Sequence, residues 1–354
     1  MDIEIKAGSK VFELIKDGGF HFDRITTYVG PAVGPRWLVA SGFDLTLLNT
    51  GVLAKSKPVL LAGASAGAWR FASWLQPEPI ESYRALLDAY IAQTYSREDT
   101  PGTIMRSLSR IINAFIDNDA LSFALANRKY RLAITTARGR NLNGSDAPGV
   151  QKVGLLCALI ANTMSPSLLH KFFERVVFYC APLPPRFCLR DSFMGKAIPL
   201  NETNFKDALL ASGAIPLLVA GIKNIFGSPN GTYRDGGIFD YHLNHEYTFK
   251  EGELTLLFHH CEKIIPGWLD KKIKSRRVSG PMLDNVLMIH PSRDFVESLP
   301  AKKVPDRDDF VTFADRPERR IEMWRKAVAS CAHLGEEFLE VAGGSRLRDV
   351  VQKF

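Results

Sequence analysis

The stretch Val59-Leu60-Leu61-Ala62-Gly63-Ala64-Ser65-Ala66-Gly67-Ala68-Trp69-Arg70-Phe71 opens on four apolar residues, narrows to small ones and runs on into a segment compatible with a helix. A short apolar run of this kind reads as a buried strand. Strand, tight turn and helix around Gly-x-Ser-x-Gly is the setting in which a serine is held at a sharp bend as a nucleophile. The residues two positions either side must then be small enough to clear the neighbouring backbone. Gly63 and Gly67 meet that need, and Ala64 and Ala66 reduce the crowding further. The helix that follows turns its first amides and a partial positive charge toward developing negative charge, so the Ala66 N–H is the first expected oxyanion donor. The same residue types would also serve a plain small-residue turn, so the surrounding pattern has to decide.

That pattern alternates. Thr26 to Val29, Leu132 to Thr136, Val176 to Cys180, Leu254 to Phe258 and Val286 to Ile289 read as further short buried strands, with helical patterns between them. The alternation predicts an α/β fold with a mostly parallel central sheet. Thr100-Pro101 supplies an N-cap and a first-turn proline, after which Leu108, Ile111, Ile112, Phe115 and Ile116 share one face. Leu86, Leu87, Tyr90 and Ile91 mark another helix, and a C-terminal helical segment is expected over 315–342 behind Pro317. Residues 1–24 read as an N-terminal extension to one domain over 25–354. The proline-rich stretch 264–309 reads as irregular and mobile cover.

Composition bounds the function. With 46% hydrophobic and 23% charged residues in 354, the chain can bury a substantial core. A formal net charge of +7 and a pI near 9.1 suit an anionic surface. Five cysteines without CxxC spacing indicate neither a zinc cluster nor a disulfide framework. No secretory signal pattern is visible and no apolar run is long enough to span a bilayer, so a cytoplasmic protein that meets membranes peripherally is expected. The basic run Trp268 to Arg277 is the candidate contact with anionic lipid. Charge alone suggests nucleic acid, and none is expected as a partner. A phosphate-binding GxxxxGK[ST] loop is missing, and His259-His260-Cys261, as neighbours on an extended run, should point to opposite faces, so neither a metal nor an organic cofactor is expected.

A serine nucleophile needs a base. Downstream, Thr232-Tyr233-Arg234-Asp235-Gly236-Gly237 puts an aspartate at the end of a strand-like segment, with Gly236 and Gly237 as a supporting turn. Here the chain resembles the patatin-like phospholipase family, which joins a GxSxG elbow to a later Asp-Gly-Gly or Asp-Gly-Ala as a Ser–Asp dyad. Ala208-Leu209-Leu210-Ala211-Ser212-Gly213-Ala214-Ile215-Pro216 is similar to the family's small-residue stretch before that aspartate. Leu132 to Thr136, leading into Ala137-Arg138-Gly139-Arg140, is similar to its middle strand. The resemblance covers about residues 25 to 245 and lies in order and spacing. It implies a three-layer α/β/α sandwich, Ser65 as nucleophile, Asp235 as its base, and a lipid or phospholipid acyl ester as substrate.

The oxyanion loop departs from the family. Where a Gly-Gly-Gly-x-Arg/Lys-Gly run is usual, this chain reads Gly30-Pro31-Ala32-Val33-Gly34-Pro35-Arg36. Prolines donate no N–H. Val33 or Gly34 is therefore the expected second donor, with Arg36 at the family's basic position; Asp17-Gly18-Gly19 is a more distant rival. Two other functions compete. An α/β-hydrolase esterase with a Ser-His-Asp triad would draw on His242, His245, His259, His260 or His290, all after Asp235. A non-catalytic lipid-binding or scaffold protein of the same fold would explain the altered loop.

Overall fold

The computed structural model describes residues 1–354 except 274 and 279; Lys274 of the basic run and Ser279 lie outside the described residues. The strands are β1 (Ile3–Ala7), β2 (Ile25–Gly30), β3 (Val59–Ala64), β4 (Tyr130–Gly139), β5 (Phe173–Cys180), β6 (Gly195–Pro199), β7 (Ile222–Lys223), β8 (Thr232–Asp235), β9 (Leu254–Phe258), β10 (Val286–Pro291) and β11 (Gln352–Lys353). They form one sheet in the order β11-β1-β10-β9-β2-β3-β4-β5-β6, with β8 on β4 and β7 on β8. The central run β10-β9-β2-β3-β4 is parallel throughout, while β1 against β10 and β4 against β5 are antiparallel. All six strands read from the sequence are present. Residues 1–24 are not an extension: the Ile3, Ile5, Ala7 alternation seats β1 inside the sheet, where Ile3 pairs with Pro291 and Ala7 with Leu287.

Side chains alternate across the sheet as the strand period requires. Leu61, Leu132, Ile134, Val176, Phe178, Leu256 and Leu287 point into the larger core, and Ala62, Ala133, Val177, Leu257 and Met288 point into a second. The first face is covered by a thick helical layer that includes Ser41–Thr50, Ala66–Ser73, Pro79–Ala92, Pro101–Phe115 and Pro317–Ser330. On the second face the helix Pro148–Met164 packs Leu155 and Ala158 against Ala137 and Phe173, and irregular chain carrying Phe187, Leu243 and Tyr247 covers the rest. The outcome is an α/β fold with a mostly parallel sheet between two covering layers.

Thr100 accepts from the Thr103 amide and Thr103 returns the bond, a capping box that starts the helix Pro101–Phe115 where the sequence predicts. The 264–309 stretch is more ordered than its prolines suggest. It contains β10, a 3-10 turn at Trp268–Lys272 and the helix Arg293–Ser298, capped by Ser292. The five cysteines are unpaired. Among the described residues, no helix is long and apolar enough to cross a membrane.

Candidate active site

β4 brings the two halves of the site together. β3 runs parallel to β4 and ends at Ala64, opposite Thr135. β8 runs antiparallel to β4 on the line that β3 vacates and ends at Asp235, opposite Thr136. The C-terminal ends of β3 and β8 therefore abut, and the residue following one meets the last residue of the other. Ser65 Oγ donates to Asp235 Oδ2 at 2.9 Å.

Ser65 has φ 53° and ψ −128°, a left-handed conformation that costs a non-glycine residue about 1–3 kcal/mol. Its neighbours hold it there. The Ser65 amide donates to Ser212 Oγ at 2.8 Å, and that hydroxyl donates to the Thr135 carbonyl at 2.7 Å, which ties the bend to β4. A Cβ on Gly67 would lie 2.0 Å from the Gly30 carbonyl oxygen, and one on Gly63 would lie 2.6 Å from the Ala68 amide. Glycine is thus required at both flanks because the bend packs backbone on backbone.

Asp235 is fixed from its other oxygen, Oδ1, which accepts the Gly237 amide at 2.7 Å. Gly236 must be glycine as well, since a Cβ would fall 2.0 Å from the Thr135 carbonyl oxygen. Both Ser65 and Asp235 are buried. Burial pushes the Asp235 carboxyl above the ordinary carboxylate range, opposed by the nearby Arg307 charge, by the Gly237 and Ser65 hydrogen bonds and by Lys271. A carboxylate made more basic in this way and bonded to a serine hydroxyl is suited to accept that hydroxyl's proton.

In the loop after β2 the Val33 and Gly34 amides are differently engaged. The Val33 amide is already spent on the Pro31 carbonyl at 3.0 Å, and Ala32 donates to the Tyr241 carbonyl. Gly34 takes φ 56°, which a glycine adopts freely. Its amide and that of Ala66 have no acceptor among the described residues, and both residues line one cavity with Ser65. That cavity holds about 470 Å³ and is walled by Ile215, Leu218, Tyr90 and Phe310.

Arg36 does not face this cavity. It lies along a separate groove of about 730 Å³ with His242, His260 and Lys271. The cation at Ser65 is instead Arg307, which lines the serine cavity and a small recess beside Asp235. A Cβ on Gly34 would come within 3.0 Å of its Nε. Sequence reasoning missed Arg307 because it sits in the 264–309 stretch, with no motif to mark it.

None of the five candidate histidines bonds to Ser65 or Asp235 among the described residues, and the sixth after Asp235, His333, lies on Asp2. His245 faces Asp240 at 3.2 Å, and His290 Nδ1 lies 2.9 Å from the Pro291 carbonyl. The remaining three correct an expectation. His259 and His260 follow the end of β9, where strand alternation no longer applies, and with His242 they bring ring nitrogens within 4.8 Å of one another. Burial lowers the pKa of all three, which favours the neutral form of each ring. His242 Nδ1 accepts the Ile265 amide, which leaves the ring proton on Nε2. The cluster therefore offers one N–H beside two rings, and does not present three lone pairs to one ion.

No family model matches the chain, and no curated protein does. Among solved structures the chain is similar to one described as human GIVD cytosolic phospholipase A2, with a TM-score of 0.35 and 12% identity over 96% of this chain. The chain spans 63% of the length of that protein.

Proposed function

We propose that the protein is a serine acyl hydrolase of lipid esters, with Ser65 as nucleophile and Asp235 as general base, working without a cofactor. The observation that carries the reading is the 2.9 Å bond from Ser65 Oγ to a buried, proton-seeking carboxylate at a strained elbow. The order and spacing of the elbow, the small-residue stretch and Asp-Gly-Gly support a patatin-like hydrolase. An apolar cavity with Ser65 in its wall supports a substrate with an acyl chain, a glycerophospholipid or another lipid ester.

In this mechanism Ser65 Oγ attacks the ester carbonyl as its proton passes to Asp235. The Gly34 and Ala66 amides receive the charge that develops on the carbonyl oxygen. Collapse breaks the bond to the alcohol, which leaves with the proton from Asp235, and acyl-Ser65 remains. Water then attacks the acyl carbon, giving its proton to Asp235. The second collapse frees the fatty acid, and the proton returns to Ser65 Oγ.

A fluorophosphonate probe tests the nucleophile. Rapid phosphonylation mapped to Ser65 by peptide mass spectrometry is expected, with none in Ser65→Ala. A folded wild type that leaves Ser65 unmodified would favour a non-catalytic protein of the same fold.

A further inference from the structure

The helix Pro148–Met164 is amphipathic the wrong way round. Its inner face carries Gln151, Gly154, Leu155, Ala158 and Asn162, all buried. Its outer face carries Val150, Val153, Leu156, Leu159, Ile160 and Met164, all exposed, with Leu156 at 57%, Ile160 at 56% and Met164 at 77%. An apolar stripe along one exposed helix face marks an interaction surface. The two inner polar residues explain how the helix is held in this orientation. Gln151 Oε1 accepts the Leu217 amide at 2.5 Å, and Asn162 Nδ2 donates to the buried Asp270 at 2.7 Å.

These two anchors connect the helix to two other features. Gln151 fastens Leu217, which takes φ 68° and is followed by Leu218, half exposed and part of the wall of the Ser65 cavity. A left-handed conformation is costly for a leucine, and here it leaves Leu217 and Leu218 both exposed. Val311, at 80% exposure, lines the same cavity. At the other end, Asn162 joins the basic run. Arg276 donates to the Asn162 carbonyl at 2.9 Å and pairs with Asp270, while Lys271, Lys272 and Arg277 are exposed. Trp268, read from the sequence as a membrane residue, is half buried against the core instead.

We propose that the outer face of the helix Pro148–Met164, together with the exposed cations of the basic run at its C-terminal end, is the surface on which the protein lies against an anionic lipid bilayer. An exposed apolar helix face beside exposed lysines and arginines is the pattern of an interfacial helix, whose apolar side enters the headgroup boundary while the cations meet anionic lipid. The bilayer is chosen over a second copy of the chain because the stripe ends beside the basic run, whose exposed cations suit anionic lipid and would repel the same cations on a second copy. The proposal rests on the lipid hydrolase reading, and its test separates the two.

Full-length Ser65→Ala protein, which cannot turn over substrate, is floated with vesicles of equal phosphatidylcholine and phosphatidylserine. Binding is expected, weaker on pure phosphatidylcholine and at least tenfold weaker in the Leu156→Glu, Ile160→Glu double variant. Cys157, the exposed cysteine on this helix, carries an environment-sensitive dye that should shift to shorter wavelength on binding. In the Ser65 background the double variant should hydrolyse a soluble short-chain ester at the normal rate and vesicle lipid more slowly. Unchanged vesicle affinity in the double variant would overturn the proposal, as would a dimer that the double variant dissociates without change in vesicle binding. Vesicle binding lost in the double variant, alongside a wild type that hydrolyses nothing, would uphold the surface and remove the hydrolase.

Discussion

Arg307 is the residue whose role differs most from what the sequence conveys. The serine and aspartate were legible from their motifs, because steric demand and turn chemistry leave marks at fixed spacing. Arg307 has no such mark: the path of a proline-bearing loop brings it to the wall of the cavity that Ser65 also lines. Its charge lowers the Asp235 pKa while burial raises it. Protonated Asp235 cannot act as base, so activity should fall as pH drops through its raised pKa. Arg307→Gln removes a cation that favours the carboxylate, and the acid limb of kcat/KM should move to higher pH. A pH–rate profile on a soluble ester reads this directly, and an unmoved limb would show that Arg307 does not act on Asp235. The proposed second oxyanion donor is half legible. The sequence narrows it to Val33 or Gly34, and only the Pro31 carbonyl, which engages the Val33 amide, separates them.

At the scale of elements, the six central strands were readable because each is a short apolar run with sharp ends. β1 was missed, since Ile3-Glu4-Ile5-Lys6-Ala7 alternates and looks like a polar terminus until its partner β10 is known. The meeting of β3 and β8 beside β4 was beyond reach for a similar reason, because register across non-adjacent strands is not written in either one. The elbow helix rests on a buried network that also left no sequence mark. Arg70 Nε lies 3.0 Å from Asp44, whose oxygens accept from Tyr28 at 2.7 Å and Tyr83 at 2.6 Å. Removing one partner strands a buried charge. Asp44→Ala should cost about 3–5 kcal/mol in denaturant unfolding, and a change near zero would mean that Arg70 finds another partner. Gly67→Ala should cost about 1–3 kcal/mol by overpacking the helix on β2. It should also slow turnover more than it raises KM, because the bend that aims Ser65 must shift.

For the whole molecule, a formal charge of +7 was visible at once, but its arrangement was not. The basic run lies at the end of an outward-facing apolar helix, and the proposed lipid-facing surface rests on that pairing. Vesicle binding should weaken as salt rises, since exposed charges are screened within about 10 Å at 0.1 M ionic strength. The residual binding at high salt should reside in the apolar stripe, and binding indifferent to salt would leave the lysines and arginines without a part. The claim on which the rest depends is that Ser65 and Asp235 act together on a lipid ester. Fatty-acid release from phospholipid vesicles by the wild type, Ser65→Ala and Asp235→Asn, measured side by side, tests it. Release by the wild type and background rates in both variants are expected; equal release by all three would contradict the assignment.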